Sequence, residues 1–245
     1  MSDDIAQAPV LTWNGNEWVP TMEVSDDEDD IPDSEDLYAW YDLSQEDFSD
    51  LDSISTLTDQ SGNGHDLTGP NGPTYIDDGI GGNPVARFDD ADGDDYLDVS
   101  FDSVNQPVHH FLVARVIDTT GPRVWATDAA GDWHSFASNS DSNENWQLFA
   151  GDNTQTTHPM DEDPRLQIYQ FDGEDSYHRK GDSSKESATD AGTNGLDGVT
   201  LGNRYDLEGQ GNVEIAEYAV YPMDKEGIES DWIDYVSSKY GSHVV

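Results

Sequence analysis

The sequence contains no cysteine and only 10 lysine and arginine residues among its 245 positions. The absence of cysteine excludes disulfide bridges, thiolate metal ligands and a thiol nucleophile. The shortage of cations argues against nucleic acid as a direct partner, because binding to phosphates needs a basic face. No apolar run approaches the roughly 18 residues that span a bilayer, so we expect no membrane insertion.

The first ten residues, MSDDIAQAPV, contain neither a basic segment nor an apolar one. Export signals of the Sec or twin-arginine type have both. We therefore expect the chain to stay inside the cell that makes it, or to leave by lysis as part of a particle.

Acidic residues dominate the composition, with 53 aspartates and glutamates and a formal net charge of -43 at pH 7. High net charge with low hydrophobicity is typical of disordered chains. Against disorder stand 7 tryptophans, 11 tyrosines and 7 phenylalanines in periodic segments, which are enough for a core. We favour a folded domain with a carboxylate-rich surface. Its self-repulsion is screened only near molar salt, where the Debye length is about 3 Å, so the composition predicts a high-salt source.

Closely spaced turns divide the stretch from Leu57 to Val99 into short strands. The clusters SGNG, GPNGP, GIGGNP and DADGDD alternate with β-branched or aromatic runs such as Thr74–Ile76 and Val85–Phe88. No interval leaves room for a helix, so the pattern predicts an antiparallel β meander. Residues 106–118 then form the longest apolar strand pattern, with apolar side chains on both faces, which predicts a central strand.

Two adjacent histidines, His109 and His110, lie in this strand pattern. The period-two rule places their side chains on opposite faces, so they cannot form one metal site together. We expect two exposed imidazoles at the end of the strand.

The closing segment predicts one strand followed by one helix. Val213 to Tyr221 has strand composition, and Asp224 is placed to cap a helix. Apolar residues then recur at helical spacing up to Gly241, which is a natural helix stop.

Two pieces of this sequence resemble the laminin-G-like, concanavalin-A-like jelly-roll domains. The first is D-x-SGNG-x-D-L followed by P-x-Y, G-x-P-x-x-R-F-D and D-x-Y-L, and the second is the strand IAE-x-x-x-Y with a helix that ends in K-Y-G. The resemblance implies an all-β fold over residues 37–245: a two-sheet antiparallel jelly-roll sandwich with one C-terminal helix. It does not fix the function, because this fold carries many unrelated activities.

Two further segments precede the sandwich. In residues 1–22, Asn14-Gly15 between Trp13 and Trp18 predicts a hairpin. The pattern W-x-G-x-x-W-V-P resembles terminal segments of structural proteins of tailed viruses, so Trp13 and Trp18 are candidates for a docking arm. The alternative is an ordinary hairpin packed on its own domain. Residues 23–36 predict a solvated acidic linker, or else a cation-binding tail.

Acidic loops supply the candidate cation ligands. Alternating oxygen ligands suit Ca²⁺ or Mg²⁺, and they occur in the loop from Asp59 to Asn63 and in the aspartate-rich loop of residues 89–95. The first loop is not an EF-hand, because Pro70 stands where the closing glutamate should be. The alternative is a pair of acidic turns with loosely held counter-ions. The candidate metal ligands are Asp59, Asn63, Asp90, Asp92 and Asp94.

Glu214 and Glu217 are the candidate carboxylate pair for a glycosidase, which needs two carboxylates at one bond. Residues three apart on a strand lie on opposite faces, so we predict a chain that is not an enzyme and a structural Glu217. Trp133 and Trp146 are candidates for stacking on sugars, with burial in the core as the alternative.

Three functions remain open on this sequence. The first is a non-enzymatic structural or accessory protein in the virion of a virus of halophilic archaea, as a capsid decoration, turret or tail component. Such a protein would be homo-oligomeric, dock on other virion proteins through its arm and contact a host-surface glycan. The second is the glycan-binding module of a cell-surface protein, and the third is a polysaccharide hydrolase or its accessory domain. We favour the first, because no export signal is visible.

Overall fold

The computed structural model describes residues 11–13, 18–20, 31–89, 95–117, 123–127, 135–138, 145–160, 162–203 and 211–245. The chain divides into two compact units, Met1–Asp30 and Ile31–Val245. In the first unit, strand β1 (Leu11–Trp13) pairs antiparallel with β2 (Trp18–Pro20), and Trp13 lies opposite Trp18. The two strands flank the expected Asn14-Gly15 turn, which lies outside the described residues.

The described part of the second unit consists of β-strands joined by short turns and loops, with one helix at the C-terminal end. The elements are β3 (Ala39–Asp42), β4 (Thr56–Leu57), β5 (Leu67–Thr68), β6 (Thr74–Ile76), β7 (Val85–Phe88), β8 (Leu97–Val104), β9 (Val108–Val116), β10 (Arg123–Thr127), β11 (Ser135–Ser138), β12 (Asn145–Phe149), β13 (Asn153–Pro159), β14 (Arg165–Phe171), β15 (Tyr177–Lys180), β16 (Glu186–Ser187), β17 (Leu196–Leu201), β18 (Val213–Tyr221) and α1 (Glu229–Tyr240).

These strands form two antiparallel sheets. The outer sheet has the order β13-β12-β11-β10-β17-β8-β5-β4. The central sheet has the order β16-β15-β14-β9-β18-β7-β6, and β3 pairs with β18 on the same edge as β7. The predicted all-β, two-sheet jelly-roll sandwich with one C-terminal helix is therefore confirmed, and β9 is a central strand as expected.

The core has two layers, one on each face of the central sheet. Leu112, Ala114 and Val116 of β9 contribute to the layer between the sheets. Phe111 and Val113 of the same strand contribute to the layer beneath α1. The helix supplies buried aromatic and apolar side chains to this second layer: Trp232, Tyr235, Val236 and Tyr240. The central sheet is thus covered on both faces, which explains why its longest strands, β9 and β18, carry apolar side chains on both faces.

Helix α1 ends as the sequence predicts and begins differently. Gly241 follows its last residue with a φ of 96°, a left-handed conformation that glycine adopts readily. Asp224 accepts a hydrogen bond from the backbone N–H of Glu226 at 2.8 Å. It therefore satisfies the first N–H group of the short 3-10 turn Glu226–Ile228, whose N-cap is Lys225, and does not cap α1 itself. No helix in the described ranges is long and apolar enough to cross a membrane.

The second unit begins at Ile31, six residues before the domain start that the sequence predicts at Leu37. Ile31 is buried in the layer beneath α1. Lys225 Nζ donates to the carboxylates of Asp33 at 2.8 Å and Asp36 at 2.6 Å. These contacts bind the end of the predicted acidic linker to the sandwich, and residues 23–30 lie outside the described part.

Both histidines of β9 are buried, so the expectation of exposed imidazoles is wrong. His110 stacks on Tyr169 with ring centroids 4.6 Å apart, and its Nδ1 lies 2.8 Å from the Tyr218 hydroxyl. His109 lies on the opposite face, as predicted, where its Nδ1 accepts the backbone N–H of Lys225 at 3.2 Å. The alternation of side chains along a strand predicts that the two histidines lie on opposite faces. It does not show that the segment before α1 covers the face that carries His109.

Replacing His109 with asparagine is expected to reduce the loss of stability in acid. Burial lowers the pKa of His109 from its ordinary value of 6.5 to about 3. Between these values the unfolded chain binds a proton that the folded protein does not, so stability falls by about 1.4 kcal/mol per pH unit through this residue. Asparagine can accept the Lys225 N–H without titrating. Denaturant unfolding from pH 7 to pH 4 should show a shallower decline for the variant, and parallel declines would contradict this.

Gly202 is expected to tolerate alanine poorly, because a Cβ there would lie 2.0 Å from Cδ1 of the buried Phe88 ring. Gly64 is a matched control, since its φ of 79° is close to the 80° of Gly202 but a Cβ there meets no atom within 4 Å. Gly64→Ala should cost about 1 kcal/mol of backbone strain. Gly202→Ala should cost about 1–3 kcal/mol more from overpacking. Equal losses in denaturant unfolding would show that the Phe88 contact is not tight.

Candidate functional site

A polar cleft of about 390 Å³ opens beside the strands β7, β9 and β18 of the central sheet. This size lies within the range of small-molecule sites in proteins. Its lining combines two cations, three carboxylates, one amide and two aliphatic side chains: Arg87, Arg115, Asp89, Glu162, Glu214, Asn212, Val116 and Ile117. We refer to it as the arginine cleft.

A charged row across three strands builds the floor of the arginine cleft. Glu214 of β18 lies opposite Arg87 of β7 on one side and opposite Arg115 of β9 on the other. Arg87 Nε donates to Glu214 Oε1 at 2.8 Å, and Arg115 Nε donates to Oε2 at 2.8 Å. Each guanidinium makes a second bond to the same oxygen through Nη2. Both carboxylate oxygens therefore accept two charge-assisted hydrogen bonds, which holds the three side chains rigidly.

The two guanidinium groups remain accessible from the cleft. The side chain of Glu214 is only 1% exposed, whereas those of Arg87 and Arg115 are 40% and 36% exposed. Arginine has five N–H donors, and Glu214 engages the Nε and Nη2 atoms of each residue. The Nη1 groups have no partner among the described residues, and they offer fixed donors to a ligand.

The sequence alone did not reveal the arginine cleft. The sequence contains one indication of it. Each of two mainly apolar strands, Val85–Phe88 and Val108–Val116, includes an arginine, although the chain has few cations. Linking these residues to Glu214 requires the register between three strands that are far apart in sequence. Local periodicity contains no information on that register.

The expectation that Glu214 and Glu217 lie on opposite faces of β18 is wrong. The pairing of β18 with β9 shifts between Ile215 and Glu217, which marks a β-bulge at Ala216. Ile215 faces the layer between the sheets, whereas Ala216 and Ala219 face the layer beneath α1. The extra residue returns Glu217 to the face that carries Glu214.

Glu217 nevertheless lies in a separate, closed cluster beneath the helix. It is 1% exposed and accepts hydrogen bonds from Trp40 Nε1 at 2.8 Å, Tyr235 OH at 2.9 Å and Tyr240 OH at 2.8 Å. Lys239 Nζ lies 3.0 Å from it. Burial raises the pKa of Glu217, an effect that Lys239 opposes. Its neighbours join α1 to β3 and β18, so the cluster has the structural role predicted for Glu217.

The Asp59 loop is held together by its own hydrogen bonds. The Asp59 carboxylate accepts the backbone N–H groups of Trp40, Ser61 and His65 at 2.9–3.1 Å. These bonds lower the pKa of Asp59 even though burial acts in the opposite direction. Asn63 Nδ2 donates to the carbonyl oxygens of Leu37 at 2.9 Å and Tyr38 at 3.0 Å. In this arrangement the two side chains organise a turn and anchor it to the start of the sandwich.

The other proposed metal ligands, Asp90, Asp92 and Asp94, lie outside the described residues. Within the described ranges, no group of three or more His, Asp or Glu side chains is arranged to hold a metal ion. The prediction of a Ca²⁺ or Mg²⁺ site therefore remains a prediction.

The sequence also singled out tryptophans. Trp146 is 1% exposed and belongs to the layer between the sheets, which is the core alternative rather than the sugar-stacking one. Trp133 lies outside the described residues. Trp13 and Trp18 are paired across the β1–β2 hairpin. Their role in docking stays a prediction.

Comparison with known proteins assigns the fold. No protein-family model and no curated protein matches the chain. Domain 4 of AbnA, a GH43 extracellular arabinanase from Geobacillus stearothermophilus, was solved in complex with arabinotriose. It is similar at 16% identity and a TM-score of 0.52, over 76% of this chain and 91% of that domain. The binding domain of botulinum neurotoxin serotype D is similar at 8% identity and a TM-score of 0.54, over 82% of this chain and 51% of that one.

Trypanosoma rangeli sialidase is similar at 10% identity and a TM-score of 0.48. The chain spans only about a third of the sialidase, since the match covers 84% of this chain and 34% of that one. At these identities the likeness to the arabinanase and neurotoxin domains concerns the fold alone. The sheets of the described residues form a two-sheet β-sandwich, which is the architecture that the laminin-G-like resemblance implied.

Proposed function

We propose that the chain is a non-enzymatic carbohydrate-binding sandwich of the laminin-G-like kind, and that the arginine cleft is its binding site. The observation that carries this proposal is the row Arg87–Glu214–Arg115, in which a buried carboxylate fixes two accessible guanidinium groups at the wall of a ligand-sized cleft. Fixed polar groups bind a ligand with little loss of conformational entropy.

The chemistry of the cleft suits the hydroxyl groups of a sugar. A hydroxyl is both a donor and an acceptor, so it can bond a guanidinium N–H and a carboxylate oxygen at once. Arg87 and Arg115 supply the donors, and Glu162 supplies acceptor oxygens. The amide of Asn212 supplies both, and the aliphatic side chain of Ile117 can contact the C–H face of a sugar ring.

The charge of the cleft favours a neutral sugar. Two guanidinium groups stand against the three carboxylates Asp89, Glu162 and Glu214, so the formal charge of the lining is +2 − 3 = −1. The remainder of the protein is strongly acidic. An anionic ligand would meet repulsion from both, whereas a neutral polyol would not.

Two similar structures support this proposal. One is a domain solved in complex with arabinotriose, and the other is the binding domain of a neurotoxin. The surroundings of the two candidate carboxylates, Glu214 and Glu217, support the proposal that the chain is not an enzyme. Glu214 is occupied by two arginines, and Glu217 lies in the cluster beneath α1. Neither has the free oxygens that an acid–base pair at a glycosidic bond requires.

A glycan array in molar salt tests the proposal. The wild-type protein should bind a set of neutral oligosaccharides, and Ile117→Trp should lose that binding because the larger side chain fills the cleft. Met223→Trp is a matched control, since Met223 is 38% exposed and Ile117 is 37% exposed. Binding that survives Ile117→Trp would place the site elsewhere, and release of reducing sugar from the bound glycans would show that the protein is an enzyme.

We further propose that the sandwich is displayed on a virion of a halophile virus and docks there through the hairpin of β1 and β2. This proposal is supported by the pairing of Trp13 with Trp18 in a unit separate from the sandwich. An isolated two-stranded hairpin is marginally stable and needs a surface to pack on. Deletion of residues 1–30 should leave the melting temperature unchanged in high salt and abolish assembly with particle proteins. A deletion that unfolds the sandwich would show that the hairpin is part of the core.

A further inference from the structure

One lysine meets two carboxyl groups in the closed cluster beneath α1. Lys239 belongs to the last turn of the helix, Asp42 ends strand β3, and Glu217 lies on β18. Lys239 Nζ lies 2.6 Å from Asp42 Oδ2 and 3.0 Å from Glu217 Oε2. Both carboxylates are 1% exposed, and the lysine side chain is 15% exposed. A single amino group is therefore held between two buried carboxyl groups.

The carboxyl group of Asp42 is held as a target for addition of this amino group. Because Nζ is within hydrogen-bond distance of Oδ2, Cγ lies about 3–3.5 Å away, the separation from which reacting atoms combine. Oδ1 accepts the backbone N–H of Ser44 at 2.9 Å. The Ser44 hydroxyl lies 2.8 Å from Oδ1 and 2.9 Å from Oδ2. Fixed donors of this kind stabilise negative charge that develops on a carboxyl oxygen during addition.

The carboxylate of Glu217 is placed to carry protons from the amino group. Burial raises the pKa of Glu217, although Lys239 opposes this effect. A carboxylate with a raised pKa is a better proton acceptor near neutral pH. The donors of Trp40 and Tyr240, each at 2.8 Å, hold Glu217 in position beside Nζ.

Aromatic side chains close the cluster against water. Nζ of Lys239 lies 5.2 Å from the ring centroids of both Tyr235 and Tyr240, which are 6% and 2% exposed. Removing an ion pair from water carries a large desolvation cost. Condensation of the amine with the acid replaces two buried charges by one neutral amide, so the surroundings favour it.

We propose that the folded chain forms an isopeptide bond between Nζ of Lys239 and Cγ of Asp42. The ammonium group first transfers a proton to Oδ2, which leaves a neutral amine and a neutral carboxylic acid. The amine then adds to Cγ while Glu217 accepts a proton from Nζ. Glu217 returns this proton to the Oδ2 hydroxyl, which leaves as water. One C–N bond forms, one C–O bond breaks, and no oxidant or reductant is needed.

The ion pair between Lys239 and Asp42 is the reactant of this step and persists until the bond forms. The bond links the strand that opens the central sheet to the helix that closes the chain. It supplies a covalent cross-link to a protein that has no cysteine for a disulfide. It is independent of the arginine cleft.

A second lysine–aspartate pair provides an internal comparison. Lys225 Nζ lies 2.6 Å from Asp36 Oδ2, the same distance as in the buried pair. The Asp36 side chain is 42% exposed, and that of Asp33, the other carboxylate on Lys225, is 45% exposed. Water stabilises these charges, so we expect no bond there. The two pairs separate the effect of the surroundings from that of distance.

Mass spectrometry of the denatured protein counts the bond. During incubation in molar salt a few degrees below the melting temperature, a growing fraction of the wild-type protein should become lighter by one water molecule. Peptide mapping should join the peptide of Asp42 to that of Lys239, and should leave the peptides of Asp36 and Lys225 separate.

Variants assign each role. Lys239→Arg keeps the positive charge without an amine, and Asp42→Ala removes the carboxyl group, so both should keep their full mass. Glu217→Gln should slow the loss of water by about a hundredfold or more. Lys225→Arg is the matched control and should react like the wild type. Circular dichroism in molar salt shows which variants are folded.

Three results would overturn the proposal. One is a wild-type mass that stays at its full value throughout the incubation. Another is a loss of water that persists in Lys239→Arg, which would indicate ring closure at an aspartyl–glycine sequence elsewhere in the chain. The third is a cross-link that joins Lys239 to Glu217 instead of Asp42.

Discussion

Glu217→Ala is expected to lower the free energy of unfolding by about 3–5 kcal/mol, the usual cost of breaking a buried ion pair. Among the described residues, the change leaves Lys239 with Asp42 as its one carboxylate partner, at 2.6 Å. It also removes the acceptor of Trp40, Tyr235 and Tyr240, whose donors lie beneath the helix. Denaturant unfolding in molar salt measures the loss.

Two further variants give this prediction its controls. Glu217→Gln keeps the shape without the charge, so it should cost less than alanine. Because the pKa of Glu217 is raised in the folded protein, the protonated form of this residue stabilises the fold more than the ionised form does. This contribution to stability is lost as the pH rises through that pKa. Wild type and Glu217→Gln should therefore approach each other in acid. Glu174→Ala, at an exposed position, should change stability by less than about 0.5 kcal/mol. A similarly small effect for Glu217→Ala would show that the cluster does not hold the helix.

Lowering the salt concentration is expected to unfold the sandwich. The buried carboxylates take up half of the ten cationic side chains: Arg87 and Arg115 at Glu214, Arg179 and Lys185 at Glu229, and Lys239 at Asp42 and Glu217. The exposed carboxylates are left with few cations, and only dissolved ions screen their repulsion. Circular dichroism should show loss of the β signal as NaCl falls from about 3 M to about 0.1 M, where the Debye length reaches about 10 Å.

Neutralising exposed carboxylates should shift this salt requirement without changing the core. A suitable variant combines four substitutions at exposed positions: Asp47→Asn, Asp78→Asn, Glu174→Gln and Asp234→Asn. Its unfolding midpoint should move to a lower salt concentration than that of the wild type. A melting temperature that is the same in high and low salt would contradict the account of repulsion.

The parts of the fold that the sequence predicts are those with local signals. Turn clusters mark the meander from Leu57 to Val99, and helical spacing up to Gly241 marks α1. Each signal lies within a few residues of the structure that it specifies. The resemblance to laminin-G-like domains implied the two-sheet architecture, but it did not specify which distant strands pair, and local patterns do not contain that information.

The candidate sites required information that lies outside any single segment. The bulge at Ala216 places Glu217 on the opposite face from the one that regular alternation predicts. No residue type in this part of β18 indicates a bulge. The arginine cleft depends on the register of β7, β9 and β18. His109 looked exposed because the chain before α1, which covers it, is more than a hundred residues away.

The central claim is that the arginine cleft binds a neutral oligosaccharide. Calorimetric titration of the best array ligand in molar salt tests it most directly, with the double variant Glu162→Gln and Asn212→Ala beside the wild type. Its matched control changes Glu174→Gln and Asn71→Ala, at exposed positions outside the cleft. We expect the cleft variant to bind at least about tenfold more weakly, which corresponds to about 1.4 kcal/mol, while the control binds like the wild type. Equal affinities of all three proteins would contradict the assignment of the cleft.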